Sequence, residues 1–208
     1  KDTSRGLGDV YKRQAYVRDD IANKMKKPFI FSNGVIELLC LYSPAENLVL
    51  VTIYRQPDDR VGENRSTAME FNAALNKLNT YLNDLPTPTP NIIIGGDFNL
   101  PHTLWSSNTM GSGDPKDEKD IFCSLTKFLD EHFLHQHINK ATHIGGNILD
   151  LVFTNNSNLL HSFECLQIPR SVSDHYIVEC YTEFKSCSPQ EEEELSLIHI
   201  SEPTRRVL

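Results

Sequence analysis

Short apolar stretches recur along the chain, separated by residues that favour turns. Residues 34–43 (GVIELLCLYS) and 47–55 (NLVLVTIYR) are rich in apolar and β-branched side chains. A Pro-Ala-Glu turn joins them, and the pair predicts an antiparallel hairpin. Thr67-x-x-Glu70 has the form of a capping box. Beyond it Phe71, Leu75, Leu78 and Leu82 recur at helical spacing, predicting a helix over 67–84. The proline-rich stretch 85–90 that follows predicts a stiff extended connector. Residues 91–98 (NIIIGGDF) open as a continuous apolar run, the pattern of a strand buried on both faces. A second helix over 118–133 would put Phe122, Leu125, Leu129 and Phe133 on one face, and 148–154 (ILDLVFT) and 176–184 read as further strands. Strands interleaved with two amphipathic helices predict a layered α/β domain.

The ends lack this periodicity. Residues 1–14 (KDTSRGLGDVYKRQ) and the last fourteen (LSLIHISEPTRRVL) resemble read-through sequence from cloning or assembly. The expected division is therefore 1–14 outside the domain, 15–187 the domain, and 188–208 an acidic tail with read-through. The 208 residues suit one domain of ordinary size. No apolar run approaches the roughly 18 residues that span a bilayer, so no membrane partner is expected. Cys40, Cys123, Cys165, Cys180 and Cys187 are odd in number and lack C-x-x-C spacing, which argues against a disulfide framework and a structural zinc site. A reducing compartment follows: nucleus and cytoplasm, not secreted, with Asn64 and Asn155 as chance sequons. The net charge is −8, and residues 15–187 still carry 14 basic and 21 acidic side chains. That balance argues against a high-affinity, non-specific coat for DNA, whose phosphates call for Lys and Arg.

Three stretches break their own context. In 92–99 (IIIGGDFN), Asp97 and Asn99 stand where a buried strand runs out, and strand alternation points both the same way. The adjacent glycines permit close approach of another strand or a ligand. Asp150 stands inside the apolar strand ILDLVF. An unpaired buried charge costs several kcal/mol, so it requires a partner: a backbone amide or lysine, or else a histidine or metal ion. Ser173-Asp174-His175 precedes the last strand, where acid and imidazole can supply a metal ligand and a proton-handling group. No nucleophile elbow is present, which argues against a serine-hydrolase triad.

Taken in order and spacing, GDFN, LDLVFTN and SDH resemble the exonuclease–endonuclease–phosphatase family, and Ile53-Tyr54-Arg55-Gln56-Pro57 matches its I-Y-R-x-P motif. The form is closest to the apurinic-type endonuclease domain of non-LTR retrotransposons (jockey/LINE-like), over residues 15–186, with 16–20 (YVRDD) as the strand before the hairpin. The resemblance implies a four-layer sandwich of two mixed β-sheets flanked by helices, and Mg²⁺-dependent hydrolysis of a DNA phosphodiester, with Mn²⁺ as a substitute. It implies that Asp97 orients or deprotonates the attacking water and that Asn99 holds that water and a phosphate oxygen. His175 would contact the scissile phosphate with Asp150 as its orienting partner, Asp174 would sit beside the metal, and Tyr54 would donate to the phosphate. Thr142 and Ser173 would be phosphate or supporting contacts. The implied partners are DNA and a reverse transcriptase fused downstream.

Two members of the family's set, a strand-end Asn and a metal-binding Glu, have no counterpart upstream of Tyr54. Glu37 is the one strand carboxylate there, and its motif (VIELL) reads as an exposed or edge residue. The resemblance thus implies an N-terminally truncated domain with weakened Mg²⁺ binding, expected to be inactive and aggregation-prone as it stands. The alternatives are a family phosphatase or sphingomyelinase acting on a lipid or inositol phosphoester, and a non-catalytic remnant or domesticated binding module. Trp105 is expected to pack its loop and not to wedge into DNA. His132, His135 and His137 are expected at the surface, residues 111–113 at a loop tip, and Lys24, Lys26 and Lys27 as the densest basic cluster.

Overall fold

The computed structural model describes residues 15–17, 19–58, 66–111 and 113–182. Cys187, Asn64, the acidic tail and both read-through stretches lie outside the described residues. A short helix, α1 (Asp19–Ala22), precedes an edge strand, β1 (Phe29–Ser32). Strands β2 (Ile36–Ser43) and β3 (Leu48–Arg55) form the expected hairpin, in register from Ile36↔Arg55 to Ser43↔Leu48. Helix α2 (Thr67–Asn83) returns the chain so that β4 (Asn91–Asp97) lies parallel to β3, the connection that parallel neighbours require. After α3 (Lys116–Glu131) and the two-residue β5 (His135–Gln136), β6 (Asp150–Thr154) pairs antiparallel with β4. The six strands run β1-β2-β3-β4-β6-β5, and β7 (Leu160–Leu166) with β8 (Ile177–Thr182) makes a second, antiparallel sheet.

Side-chain alternation separates the layers. Val49, Val51, Ile53, Ile92, Ile94, Leu151 and Phe153 face α2 and α3 in one core, where the helices contribute Phe71, Leu78, Ile121 and Leu125. The intervening positions Leu48, Ile93 and Val152 face the other way and pack with Val178 and Cys180 of the small sheet. The α/β fold of two sheets with flanking helices is thus present. Among the described residues the second sheet is two-stranded, and both long helices lie on the first. Gly96 shows why the glycines occur in β4: its φ is +152°, and a Cβ there would stand 1.8 Å from the carbonyl oxygen of Ile53 on β3. The close approach is to a strand.

Several expectations change at their edges. The α2 cap is Ser66, whose hydroxyl accepts from the Met69 amide, so the capping function sits one residue before Thr67. Helix α3 ends at Glu131, and Phe133, at φ +55°, is exposed and not on the buried face. Ile121 and Phe128 fill that face with Leu125 and Leu129. The described residues of 16–20 form no strand: Tyr16 is exposed and Asp19 begins α1, while β1 takes the place beside the hairpin. Cys40 and Cys180 are buried, and burial pushes both thiols up to about 12, as small apolar side chains within strands. No helix among the described residues is long and apolar enough to cross a membrane.

Candidate active site

Register builds the site. Glu37 pairs with Tyr54, Tyr54 with Asp97, and Asp97 with Asp150. Residues in register on neighbouring strands project to the same face, so these four side chains form one row at the end of the main sheet, about 4.8 Å apart from strand to strand. The row lies on the face covered by the small sheet, because it shares parity with Leu48, Ile93 and Val152. Tyr54, Asp97 and Asp150 are buried. Glu37 is half-buried on an interior strand, which corrects its reading as an exposed or edge residue. It shares the row but has the Tyr54 strand between itself and Asp97.

The turn after β4 is held by a reciprocal clamp. Asn99 has φ +47°, a conformation that Asn tolerates better than most residues. Its backbone N–H donates to Asp97 Oδ1 (3.0 Å), and its side-chain amide donates to Asp97 Oδ2 (2.8 Å) and to the Arg55 carbonyl (2.7 Å). Arg55 Nη1 donates in return to the Asn99 carbonyl (2.6 Å), and its Nη2 pairs with Asp58. The Arg55 side chain is wholly buried. Burial pulls the guanidinium below its ordinary range, and Asp58, Glu118, Asp97 and Asp117 oppose that shift. Both side-chain amide hydrogens of Asn99 are engaged, so of its side chain only the Oδ1 oxygen can serve a reactant. It can accept from a water but has no donor left for a phosphate oxygen, which narrows the role the resemblance implies.

His175 arrives from the small sheet. Its Nδ1 donates to Asp150 Oδ2 at 2.8 Å, because an ionised carboxylate can only accept. The partner required by the buried Asp150 is therefore a histidine. Ser173 Oγ accepts from the His175 amide (3.0 Å) and shapes the turn. Thr142 is fully enclosed, and its Oγ1 accepts from the amides of Leu149 and Asp150 (2.9 and 3.0 Å). Of its two implied roles, it fills the supporting one and does not stand open to a phosphate. His143 pairs with His175 in an isolated antiparallel bridge, and its Nε2 lies 3.5 Å from Asp174 Oδ2. Asp174 is half-exposed. Burial alone would raise its carboxyl, but its own backbone amide and the imidazoles of His175 and His143 hold it below the usual range.

His143, Arg55 and Glu118 were not singled out by sequence. Arg55 was visible within I-Y-R-x-P, whereas His143 becomes significant only through its bridge to the SDH turn. Glu118, buried at the start of α3, accepts from the His102 amide (2.9 Å) and pairs with His102 Nδ1 (2.6 Å), tying the loop after Asn99 to the helix. That hydrogen bond raises the His102 pKa above its ordinary value, against partial desolvation. A raised folded-state pKa stabilises below the unfolded value near 6.5 and is lost as pH rises through the folded value. The stability cost of His102→Gln is therefore expected to be larger at pH 5.5 than at pH 8.5. Urea titrations of both proteins at the two pH values check this, and an equal cost at both would contradict it.

Other candidates resolve away from the site. Trp105 is buried, with its ring edge-on to Phe122 and Phe153 (6.0 and 6.3 Å), so it packs the loop as expected. His132 Nε2 bonds Asn79 and His137 Nε2 bonds Thr154, both at 2.7 Å, and the three histidines form no ligand group. Lys24, Lys26 and Lys27 adjoin the far end of β2: the Lys26 amide donates to the Tyr42 carbonyl, and Lys24 pairs with Glu46. Tyr42 lies five residues along the strand from Glu37, about 17 Å, so this cluster is remote from the row. The Asn155 side chain accepts from the Ile92 amide and donates to the Pro90 carbonyl, a structural role consistent with a chance sequon.

Ligand atoms of Asp97, Asp150 and His175 lie within 4.8 Å of one another, as do those of His143, Asp174 and His175. Two buried carboxylates side by side repel each other, and Arg55, the nearest guanidinium of the clamp, is already committed to Asn99 and Asp58. The oxygen-rich donor set suits a hard divalent cation.

A strand-end Asp-x-Asn, a buried Asp–His pair and a facing small sheet together define an exonuclease–endonuclease–phosphatase type of domain. Residues 48–179 match the endonuclease-reverse transcriptase family, and the chain belongs to it. No curated protein matches the sequence. Among solved structures the chain is similar to the human Nocturnin catalytic domain with bound sulfate (16% identity, TM-score 0.49, 78% of this chain and 60% of that one). It is also similar to CdtB, the biologically active subunit of cytolethal distending toxin (18%, 0.44, 74% and 56%). A third is TDP2 of D. rerio, complexed with a single-strand DNA product (12%, 0.44, 76% and 67%). The chain thus spans 56% and 60% of the lengths of the first two.

Proposed function

We propose that this domain is a Mg²⁺-dependent DNA endonuclease, the target-nicking module of a retrotransposon protein that also carries a reverse transcriptase. The observation that carries the reading is the Asp150–His175 pair at 2.8 Å, set beside Asp97 and its Asn99 clamp. Asp97, Asp150 and Asp174 are the residues that would hold the cation. When bound, the cation supplies charge neutralisation at the phosphate and lowers the pKa of a nearby water.

The chain's own groups divide the remaining work. Asp97, fixed by two donors from Asn99, accepts the proton of the attacking water, and the Asn99 side-chain Oδ1 orients that water. His175, with Nδ1 committed to Asp150, presents Nε2 to a phosphate oxygen, and the Asp150 charge favours the protonated ring that stabilises the developing negative charge. Tyr54, adjacent in the row, adds a phenolic donor to the same phosphate.

The counterpart of the family's metal-binding Glu is not identified in this sequence, so the chain is expected to be inactive under multiple-turnover conditions. High Mn²⁺ and enzyme excess offset weak cation affinity by mass action. Under those conditions slow nicking of supercoiled plasmid is expected, with no hydrolysis of sphingomyelin or inositol phosphates. Hydrolysis of the lipid or inositol phosphoester with no nicking would overturn the substrate assignment.

A further inference from the structure

We propose that His143 is the positioning residue for Asp174: an imidazole whose Nε2–H holds that carboxylate toward the divalent cation. The inference rests on the endonuclease reading and concerns a residue that none of the three motifs contains.

The protonation pattern of His143 is set locally. Gly145 donates its backbone N–H to His143 Nδ1 at 3.0 Å. A ring nitrogen that accepts carries no hydrogen, so the ring hydrogen sits on Nε2. Nε2 faces Asp174 Oδ2 at 3.5 Å. That separation exceeds a formed hydrogen bond, and a terminal carboxylate torsion is broad and soft, so the half-exposed Asp174 closes it at small cost.

The backbone fixes the pair in place. His143 and His175 are bridge partners, Ile144 donates to the Asp174 carbonyl (2.9 Å), and Tyr176 donates to the Thr142 carbonyl (2.7 Å). The His143 ring meets the His175 ring edge-on, with centroids 5.1 Å apart. One imidazole therefore abuts both members of the Asp-His dipeptide. The nitrogen it offers to Asp174 is a donor, the wrong polarity for a metal ligand and the right one for a carboxylate that is itself a ligand. Partners of this kind typically affect metal affinity 10–100-fold.

The test is Mn²⁺ binding to the full chain, followed by the electron paramagnetic resonance of free Mn²⁺, which needs no catalysis. Wild type is compared with His143→Leu, His143→Gln, Asp174→Asn and Asp97→Asn, with thermal melting of each as a fold control. His143→Leu is expected to weaken binding about 10–100-fold, as does Asp174→Asn. His143→Gln, which keeps an N–H donor, stays within a few-fold of wild type. His143→Leu binding like wild type while Asp174→Asn is weakened would overturn the inference and leave the endonuclease reading intact. Equal weakening by Leu and Gln would assign His143 a packing role and also overturn it. No Mn²⁺ binding by folded wild type, or binding indifferent to both Asp97→Asn and Asp174→Asn, would overturn the cation site and the endonuclease reading with it.

Discussion

Arg55→Met is expected to cost about 3–5 kcal/mol of stability, the usual penalty for removing one partner of a buried ionic network. The side chain is wholly enclosed, and its charge is the one that Asp58, Glu118, Asp97 and Asp117 all sense. Methionine fills much of the volume but satisfies none of these groups. It also releases the Asn99 backbone carbonyl, now held at 2.6 Å, so a non-glycine residue at positive φ loses one of its restraints. Lysine is a poor substitute, since one ammonium cannot reproduce the spread of guanidinium donors that reaches both Asn99 and Asp58. Guanidinium chloride unfolding of wild type, Arg55→Met and Arg55→Lys measures the effect. A loss below about 1 kcal/mol for the methionine variant would show that the clamp contributes no more than an exposed pair.

Asp150→Asn should separate stability from chemistry. Asparagine keeps the shape and still accepts from His175 Nδ1, so the imidazole stays in place. What disappears is the negative charge that favours a protonated ring. The nicking rate at enzyme excess is expected to fall about 10²–10⁴-fold, the range associated with a positioned acid–base group. Stability should be unchanged or higher, because Asp150 and Asp97 are register partners with both carboxylates buried. A melting temperature and a single-turnover rate on the same preparations test both halves. A variant that nicks like wild type would remove Asp150 from the mechanism.

What the sequence disclosed, and what it withheld, follows from the range of the signals. The hairpin, α2, β4 and β6 were legible because each carries its own periodicity over several residues. The four-residue β1 was not: FIFS follows a Lys-Lys-Pro stretch, lies at a sheet edge and shows only half-burial. Strand β7 (LHSFECL) has no strict alternation, because its outward face is largely polar and the register shift between Leu160 and Ser162 sets the inward-facing Leu160 and Phe163 three positions apart, not two. The α3 boundary slipped because an apolar Phe133 continued the helical spacing, while the backbone left the helix just before it.

The site divides similarly. Asp97, Asn99, Asp150 and His175 each stand in a local context that a polar residue disrupts; the Asp150–His175 pair is the expected one, whereas the Asn99 clamp on Asp97 is not readable from the sequence. The row from Glu37 to Asp150 depends on strand register, which no local pattern reveals. The role of His143 depends on a bridge between segments 32 residues apart, closed by the Ile144 and Tyr176 amides, and on a local glycine amide that fixes its ring.

The central claim is that Asp97, at the end of β4, and His175, just before β8, act on one phosphodiester. The most direct measurement is the single-turnover rate of plasmid nicking in Mn²⁺ for wild type, Asp97→Ala and His175→Ala, each with an EDTA control and a melting curve. The account predicts a slow wild-type nick that EDTA abolishes and that each substitution reduces at least about 10²-fold while the fold is retained. Nicking that survives in folded Asp97→Ala or His175→Ala, or that persists in EDTA, would contradict it.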